Sequence, residues 1–273
     1  MTTTDASTSR VPDEFAVRQV HSKPAADALT ITWRNLLNIR RNPQLLVFAT
    51  IQPIIFVLMF RYVFGGAIAV PGVEHYVDYL MPGIFVQTVV FGSLTTGVGL
   101  ADDLQKGLIE RFRSLPMARS AVLVGRTLAD LVRNVFVVLL MSVMGFIVGW
   151  HIRTSAIGLL AGLALVVAFA YSLSWLFAIV GMSVPDGETA QAASFPLLAP
   201  LVFASSAFVP LKSMPGWLQA FASRQPVSIV VNAVRALTYG GPTKTYVIQS
   251  IVWITGIIAV CAPLAIAKYR QSV

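Results

Sequence analysis

Residues that could carry out chemistry are few in this sequence, and they are widely separated. The three histidines, His21, His75 and His151, lie far apart along the chain, so their spacing does not predict a metal site. The sequence has neither a Gly-x-x-x-x-Gly-Lys-Ser/Thr phosphate-binding loop nor a Gly-x-Ser-x-Gly nucleophile turn. We therefore expect no catalytic residues, no metal and no cofactor bound by the chain itself.

One group of charged residues has helical spacing. Arg126, Asp130 and Arg133 in the run RTLADLVR are four and three residues apart, which places them on one face of a helix. They could form a polar lining at the mouth of a transport pathway. The alternative is a helix that starts below a membrane and keeps its charges in water or among lipid head groups. The second interpretation is the one we expect.

The composition requires a non-aqueous solvent for most of the chain. Of 273 residues, 56% are hydrophobic and only 12% are charged, about half the charged fraction of a soluble domain. The net charge of +8 then indicates basic cytoplasmic loops and not a nucleic-acid partner. The single cysteine, Cys261, excludes an intrachain disulfide.

Six apolar segments are long enough to cross a membrane, since a span needs about 20 residues. They are residues 45–64, 77–100, 121–150, 156–184, 190–209 and 246–267. Basic residues before the first span, between the second and third, and after the sixth predict that both termini are cytoplasmic. Residues 1–23 are polar and predict a flexible cytoplasmic tail. The pairs Gly145/Gly149 and Gly158/Gly162 match the small-xxx-small pattern of close helix packing.

Two further segments predict helices that do not span. Residues 24–42 place Leu29, Trp33 and Leu36 at helical spacing, which predicts an amphipathic helix in the membrane surface. Residues 211–240 are interrupted by Arg224, Pro226 and Arg235, so each half is too short to cross. We expect a re-entrant helix pair there, acting as a gate or cap.

A short charged helix is predicted over residues 102–116, between the second and third spans. Asp102 and Asp103 favour its N-terminal end and Arg111 and Arg113 its C-terminal end, because of the helix dipole. Pro116 stops it. From its residues alone, this helix fits an ordinary interfacial helix and a docking element for a partner equally well.

Two blocks of sequence resemble a known family. The run KGLIERFRSLPMAR resembles the cytoplasmic loop of type-2 ABC exporter permeases, in particular the daunorubicin/doxorubicin-resistance branch. The run SSAFVPLKSMPGWLQAFASRQPVSIVVNAVRAL resembles the same family's stretch after the fifth span. The resemblance implies an all-α integral membrane protein with a permease domain over residues 43–273, six transmembrane helices, an interface helix, a coupling helix and an extracellular re-entrant pair.

The resemblance also implies roles for individual residues. Contacts with an ATP-binding subunit would involve Asp102, Asp103, Glu110, Arg111, Phe112, Arg113, Ser114, Leu115 and Pro116. The second and fifth spans would enclose the substrate pathway, where the polar and aromatic candidates are Phe85, Gln87, Gln191, Ser194, Phe195 and Ser206. The re-entrant gate would contain Pro215, Trp217, Gln225, Pro226 and Arg235.

The function implied by the resemblance is export of a hydrophobic or amphipathic molecule across a bacterial plasma membrane. Two ATP-binding subunits would bind ATP and magnesium, and a second permease, in a homodimer, would complete the pathway. A self-contained secondary transporter is the main alternative, and it predicts repeat symmetry and intramembrane ionisable groups. A membrane enzyme would need a clustered acid, base or metal site, and a scaffold would leave the re-entrant segment without a use.

Overall fold

The computed structural model describes residues 24–41, 43–63, 73–107 and 119–271, and all regular structure in these ranges is helical. The helices are α1 Pro24–Arg41, α2 Pro43–Leu58, α3 Tyr76–Gln105, α4 Arg119–Val148, α5 Ala156–Gly181, α6 Gly187–Phe203, α7 Gly216–Arg224, α8 Pro226–Thr238 and α9 Thr243–Gln271. A π-helical turn, Met59–Val63, extends α2, and a 3₁₀ turn, Leu211–Ser213, precedes α7.

Four of the described helices, α3, α4, α5 and α9, are long and apolar enough to cross a membrane. The first and fifth predicted spans correspond to shorter elements. α2 has 16 residues before its π-helical extension, and α6 has 17 residues with Pro196 and Pro200 inside it. The fifth predicted span was drawn to residue 209, whereas α6 ends at Phe203 because the chain leaves the helical conformation at Ala204.

α3 lies at the centre of the packing, against α4, α5, α6 and α8. Phe85 on α3 and Phe169 and Phe177 on α5 are fully buried. α3 and α5 approach closely because both present glycines at their crossing: a Cβ added to Gly181 would lie 2.2 Å from the carbonyl oxygen of Gly97. Such small residues let backbones meet where lipid provides no hydrophobic drive for association.

α1 coincides with the amphipathic helix predicted over residues 24–42. Ala28, Ile31 and Thr32 are buried against α4, and the Thr32 hydroxyl donates to the carbonyl oxygen of Gly125 at 3.1 Å. Leu29 and Trp33 lie on a different face and are each 64% exposed. α1 is therefore held to α4 by Ala28, Ile31 and Thr32, while Leu29 and Trp33 face outwards.

The end of α3 corrects one sequence prediction. Asp102 and Asp103 were expected to begin a separate helix, but they lie in the last turn of α3, which ends at Gln105. Gly107 has a φ of 64°, in the left-handed region where glycine commonly terminates helices. The remaining coupling residues, Glu110, Arg111, Phe112, Arg113, Ser114, Leu115 and Pro116, lie outside the described residues.

Candidate functional site

Charged residues of α4 reach across to α3 and form a row of polar contacts. The Arg126 Nη1 atom lies 2.5 Å from Asp103 Oδ2. One turn further, the Thr96 hydroxyl donates to Asp130 Oδ2 at 2.6 Å. Arg133 donates from Nη2 to the Gly92 carbonyl oxygen at 2.6 Å, and it lies 3.3 Å from Asp130 Oδ1.

Two glycines of α3 make room for side chains of α4, those of Arg126 and Asn134. A Cβ added to Gly99 would lie 1.6 Å from Nη2 of Arg126, and one added to Gly92 would lie 2.7 Å from Oδ1 of Asn134. Gly92 and Gly99 are seven residues apart, as are Arg126 and Arg133. Because seven residues make two helical turns, the two helices meet at matching positions along one face.

This geometry corrects the interpretation that placed Arg126, Asp130 and Arg133 in water or among head groups. Their side chains are only 21%, 8% and 13% exposed, and they face α3. Arg126 pairs with Asp103 of α3 and not with Asp130, which lies one turn away on its own helix. These side chains therefore lie between α4 and α3.

A cavity of about 490 Å³ adjoins this row of contacts, between α2, α3 and α4, with Asn35 of α1 at one side. We call it the polar cavity. Its α3 lining runs from Gln87 to Lys106, which corresponds to about 28 Å of helix. Pro53, Phe91 and Val137 contribute apolar surface to it. Its volume lies within the range of about 300–1,000 Å³ that is typical of small-molecule sites.

Three residues that line the polar cavity each have a buried side-chain atom without a hydrogen-bond partner in the part of the chain that the structure describes. These atoms are Gln87 Oε1, Thr88 Oγ1 and Asn134 Nδ2, and they are inaccessible to water. Of these three residues, Gln87 was predicted from the sequence as a pathway residue, whereas Thr88 and Asn134 were not. Asn134 directly follows Arg133, so its polar side chain beside the charged residues could have been recognised in the sequence as a further candidate.

The other predicted pathway residues do not line the polar cavity. Phe85 is fully buried and packs edge-on against Trp150, with ring centroids 5.3 Å apart. On α6, Gln191 is exposed, Phe195 is 54% exposed, and the Ser194 hydroxyl donates to its own helix at the Ala190 carbonyl oxygen. Of the six pathway candidates, only Gln87 lines this cavity.

Ser206, the sixth candidate, belongs to the α6–α7 connection, residues 204–210. Four of its backbone carbonyl oxygens accept hydrogen bonds from side chains outside the connection. The carbonyl oxygens of Ala204, Ser206, Ala207 and Phe208 accept, respectively, from Gln225, Tyr79, Arg235 and Tyr76. Non-helical backbone at membrane depth needs such partners, because hydrocarbon supplies none.

Arg235 is at the centre of these contacts with the α6–α7 connection. Its guanidinium lies 3.4 Å from the ring centroid of Tyr79, and its Nε donates to the Tyr79 carbonyl oxygen at 2.9 Å. Arg235, a predicted gate residue, therefore joins the short helix α8 to α3, whereas Gln225, just before α8, bonds to the α6–α7 connection. Pro226 begins α8, whereas Pro215 and Trp217 are exposed near the start of α7.

The last turn of α3 is also joined to the first turn of α6. Asp102 Oδ1 accepts from the backbone N–H of Gly187 at 3.1 Å, which sets a carboxylate against a helix N-terminus, where the dipole favours it. Asp186 caps α6, and the hydrogen bonds from the backbone and side chain of Thr189 lower the pKa of its carboxyl. The segment before residues 108–118 is thereby tied to a second helix.

Comparison with known proteins identifies the family. Residues 27–239 match the model of the ABC-2 type transporter family, which is well over half of the chain. The chain belongs to the ABC-2 type transporter family. As a member it is a multi-pass membrane permease, and the family's permease subunits are not themselves catalytic.

Several ABC-2 permeases are similar over most of their length. The chain is 34% identical to the daunorubicin resistance ABC transporter permease protein DrrB1 of Streptomyces coeruleorubidus, over 93% of this chain and 89% of that protein. It is 29% identical to the probable doxorubicin resistance ABC transporter permease protein DrrC of Mycobacterium tuberculosis, over 90% of each. It is 26% identical to the putative transport permease ycf38 of Cyanophora paradoxa, over 75% of this chain and 71% of that protein.

Proposed function

We propose that this chain is the membrane-spanning subunit of an ATP-driven exporter of hydrophobic or amphipathic molecules. The observation that carries the proposal is the match to the ABC-2 family, together with similarity over nearly the whole chain to permeases named for daunorubicin and doxorubicin resistance. The sequence has no phosphate-binding loop, so the ATP and magnesium would be bound by two separate ATP-binding subunits.

In this proposal the chain crosses a bacterial plasma membrane six times, through α2 with its π-helical turn, α3, α4, α5, α6 and α9. Lys268 and Arg270 in the last turn of α9 support a cytoplasmic C-terminus. α7 and α8, with 9 and 13 residues, are too short to span and would form the re-entrant pair on the outer side.

A second copy of the permease would cover the apolar surface of α6. Phe195, Leu197 and Phe203 on this helix are 54%, 43% and 55% exposed. Exposed apolar residues suit lipid as well as protein, so the support comes from their position on the helix that the family resemblance assigns to the two-fold axis. The pathway would then run between α3 and α6 of both copies.

Motion would enter the chain through residues 108–118. These follow the last turn of α3, where Asp102 is bonded to the start of α6. A displacement produced by the ATP-binding subunits would therefore reach two helices of the proposed pathway together. Such coupling requires two arrangements of the membrane helices, biased from one end by ATP and from the other by the transported molecule.

The test is to purify the tagged chain from gently solubilised native membranes and to identify its partners. An ABC-type ATP-binding subunit should co-purify in stoichiometric amount, and it should be lost from a Glu110→Lys, Phe112→Ala double variant. Lys212→Glu, an exposed charge reversal before α7, is the matched control and should retain the subunit. Recovery of the wild-type chain alone, or with itself only, would overturn the proposal and favour an ion-driven transporter.

A further inference from the structure

Two of the three histidines, which lie far apart in the sequence, meet in the folded chain. The ring centroids of His75 and His151 are 5.7 Å apart, with an angle of 35° between the rings. Both residues are exposed, and neither imidazole has a hydrogen-bond partner in the part of the chain that the structure describes. The two rings therefore keep nitrogen atoms that can bind an incoming ligand.

The backbone holds both histidines in place. His75 immediately precedes α3, and its carbonyl oxygen accepts from the backbone N–H of Asp78 at 3.0 Å. His151 follows the end of α4, where Gly149 turns the chain with a φ of 92° and Trp150 is only 3% exposed. A ligand that needs both rings finds them already adjacent, so binding orders little more than two side chains.

A buried carboxylate lies beside His151. The Asp78 side chain is 0% exposed, and its Oδ1 atom lies 3.9 Å from Nδ1 of His151. The same oxygen accepts from the backbone N–H of His151 at 2.8 Å. Histidines that bind a metal commonly donate their second ring N–H to a carboxylate, which orients the ring and makes it a better ligand. Asp78 is placed for this role, with Nδ1 of His151 facing it and Nε2 left to bind.

The charged groups around the two histidines favour a cation. Glu74 precedes His75 and forms an ion pair with Arg153, so these two charges cancel. Among the described residues, Asp78 has no lysine or arginine partner. The balance is one negative charge beside two imidazoles, which attracts a positive ion.

The ligand types and their distance define the class of ion. Imidazole suits zinc, copper and nickel, whereas magnesium and calcium prefer oxygen ligands. A zinc ion bound to one nitrogen of each ring lies about 3.2 Å from each centroid, so tetrahedral ligation would hold the centroids about 5.2 Å apart. Rotation of two exposed side chains covers the remaining difference of about 0.5 Å. No third histidine, cysteine or carboxylate of the described residues completes a three-ligand group, so water would occupy the other positions.

We propose that His75 and His151 together bind a transition-metal ion of the zinc class, with Asp78 as a positioning residue. The ion joins the start of α3 to the α4–α5 connection, residues 149–155. Binding requires only the folded permease and not its transport activity. In the six-span topology proposed above, this site lies on the outer side of the membrane, at the opposite end of α3 from Asp102.

The experiment measures zinc binding by isothermal titration calorimetry. The full chain is purified with an affinity tag that contains no histidine and is placed in phosphatidylcholine nanodiscs, with empty nanodiscs as background. We expect saturable binding of one zinc ion per chain that persists in excess magnesium. Binding at the background level alone, or displacement by magnesium, would overturn the proposal.

Two histidine variants locate the site. His75→Ala and His151→Ala should each weaken zinc binding at least about tenfold, because each removes one of the two ligands. Neither imidazole makes a hydrogen bond in the described structure, so both metal-free variants should unfold at about the wild-type temperature. The matched control is His21→Ala, which removes the third histidine, outside the described residues, and should bind zinc as the wild type does. Binding that only one of the two variants weakens, or that His21→Ala weakens equally, would overturn the paired site.

A further variant tests the role of Asp78. Asp78→Asn keeps the size of the side chain and an oxygen for the backbone N–H of His151, but it removes the charge. We expect it to weaken zinc binding about tenfold, as is typical when a carboxylate behind a metal-bound histidine is lost. Saturating zinc should also raise the unfolding temperature of the wild type and leave that of His75→Ala unchanged, because only the wild type gains the link between the two segments. Wild-type affinity in Asp78→Asn would overturn its positioning role, and an equal rise in both proteins would overturn the link.

Discussion

The substitution Gly83→Ala tests how the α6–α7 connection is held against α3. A Cβ at this position would lie 2.1 Å from the carbonyl oxygen of Ala207, and 2.7 and 2.9 Å from its C and Cα atoms. All three are backbone atoms, so no side-chain rotation can relieve the overlap. Restoring an ordinary contact of 3.4 Å requires a displacement of about 1.3 Å between α3 and the connection.

The cost of this displacement has two parts. Overpacking of a well-packed interior costs about 1–3 kcal/mol. The displacement would also break the hydrogen bond that Arg235 donates to the Ala207 carbonyl oxygen at 2.9 Å. A hydrogen bond to a charged group contributes about 1.5–3 kcal/mol. We therefore expect Gly83→Ala to lower the free energy of unfolding by about 3–5 kcal/mol.

The assay is thermal unfolding in nanodiscs of fixed lipid composition, followed by tryptophan fluorescence. The matched control is Gly256→Ala, a helical glycine of α9 at which an added Cβ meets no atom within 4 Å. Alanine is the better helix former by about 1 kcal/mol, so this control should unfold at the wild-type temperature or above it. If Gly83→Ala is as stable as Gly256→Ala, the close approach of α3 to the connection is refuted.

Three further substitutions address the polar contacts. Arg235→Lys keeps the charge but loses the planar fork and the stacking on Tyr79, so we expect a stability loss of about 2–4 kcal/mol in the same unfolding assay; an unchanged unfolding temperature would contradict this. A double-mutant cycle of Asp103→Asn and Arg126→Gln should give a coupling energy of about 1–2 kcal/mol, because the two side chains are about four-fifths buried. A coupling energy below about 0.3 kcal/mol would instead indicate a solvated ion pair. Gly187→Ala would bring a Cβ to 2.2 Å from the Asp102 carboxylate at the end of α3. We therefore expect the stimulation of ATPase activity by the transported molecule to fall several-fold in the assembled complex. Stimulation equal to that of the wild type would argue against a role for the contact between α3 and α6 in coupling.

Features that depend on local sequence could be predicted. Two short helices occupy the segment 211–240, and the second begins at Pro226, where proline is favoured in a first helical turn. The small-xxx-small pair Gly158/Gly162 also packs closely, since a Cβ at Gly158 would lie 2.4 Å from the carbonyl oxygen of Leu237 on α8. Proline and glycine act through their own backbone, so one sequence is enough to recognise these effects.

Features that depend on the choice of neighbouring helix could not be predicted. Arg126 fits against Gly99, and Arg133 donates to the carbonyl oxygen of Gly92, only because α3 and α4 are adjacent and antiparallel. Without that knowledge, charges at the start of α4 look like an ordinary solvated face. The equal spacing of seven residues in both helices was present in the sequence, but it becomes a signal only once the two helices are paired.

The described part of the molecule satisfies its buried polar groups in two different ways. Towards the α6–α7 connection, side chains hydrogen-bond to non-helical backbone, as Arg235 does to Ala207. At the other end of α3, charges neutralise each other across two helices. Six buried side-chain atoms in the described residues are left without partners, and three of them belong to residues that line the polar cavity. An unpartnered buried group costs about 1–3 kcal/mol, so these atoms offset part of the stability that the paired contacts at both ends of α3 provide.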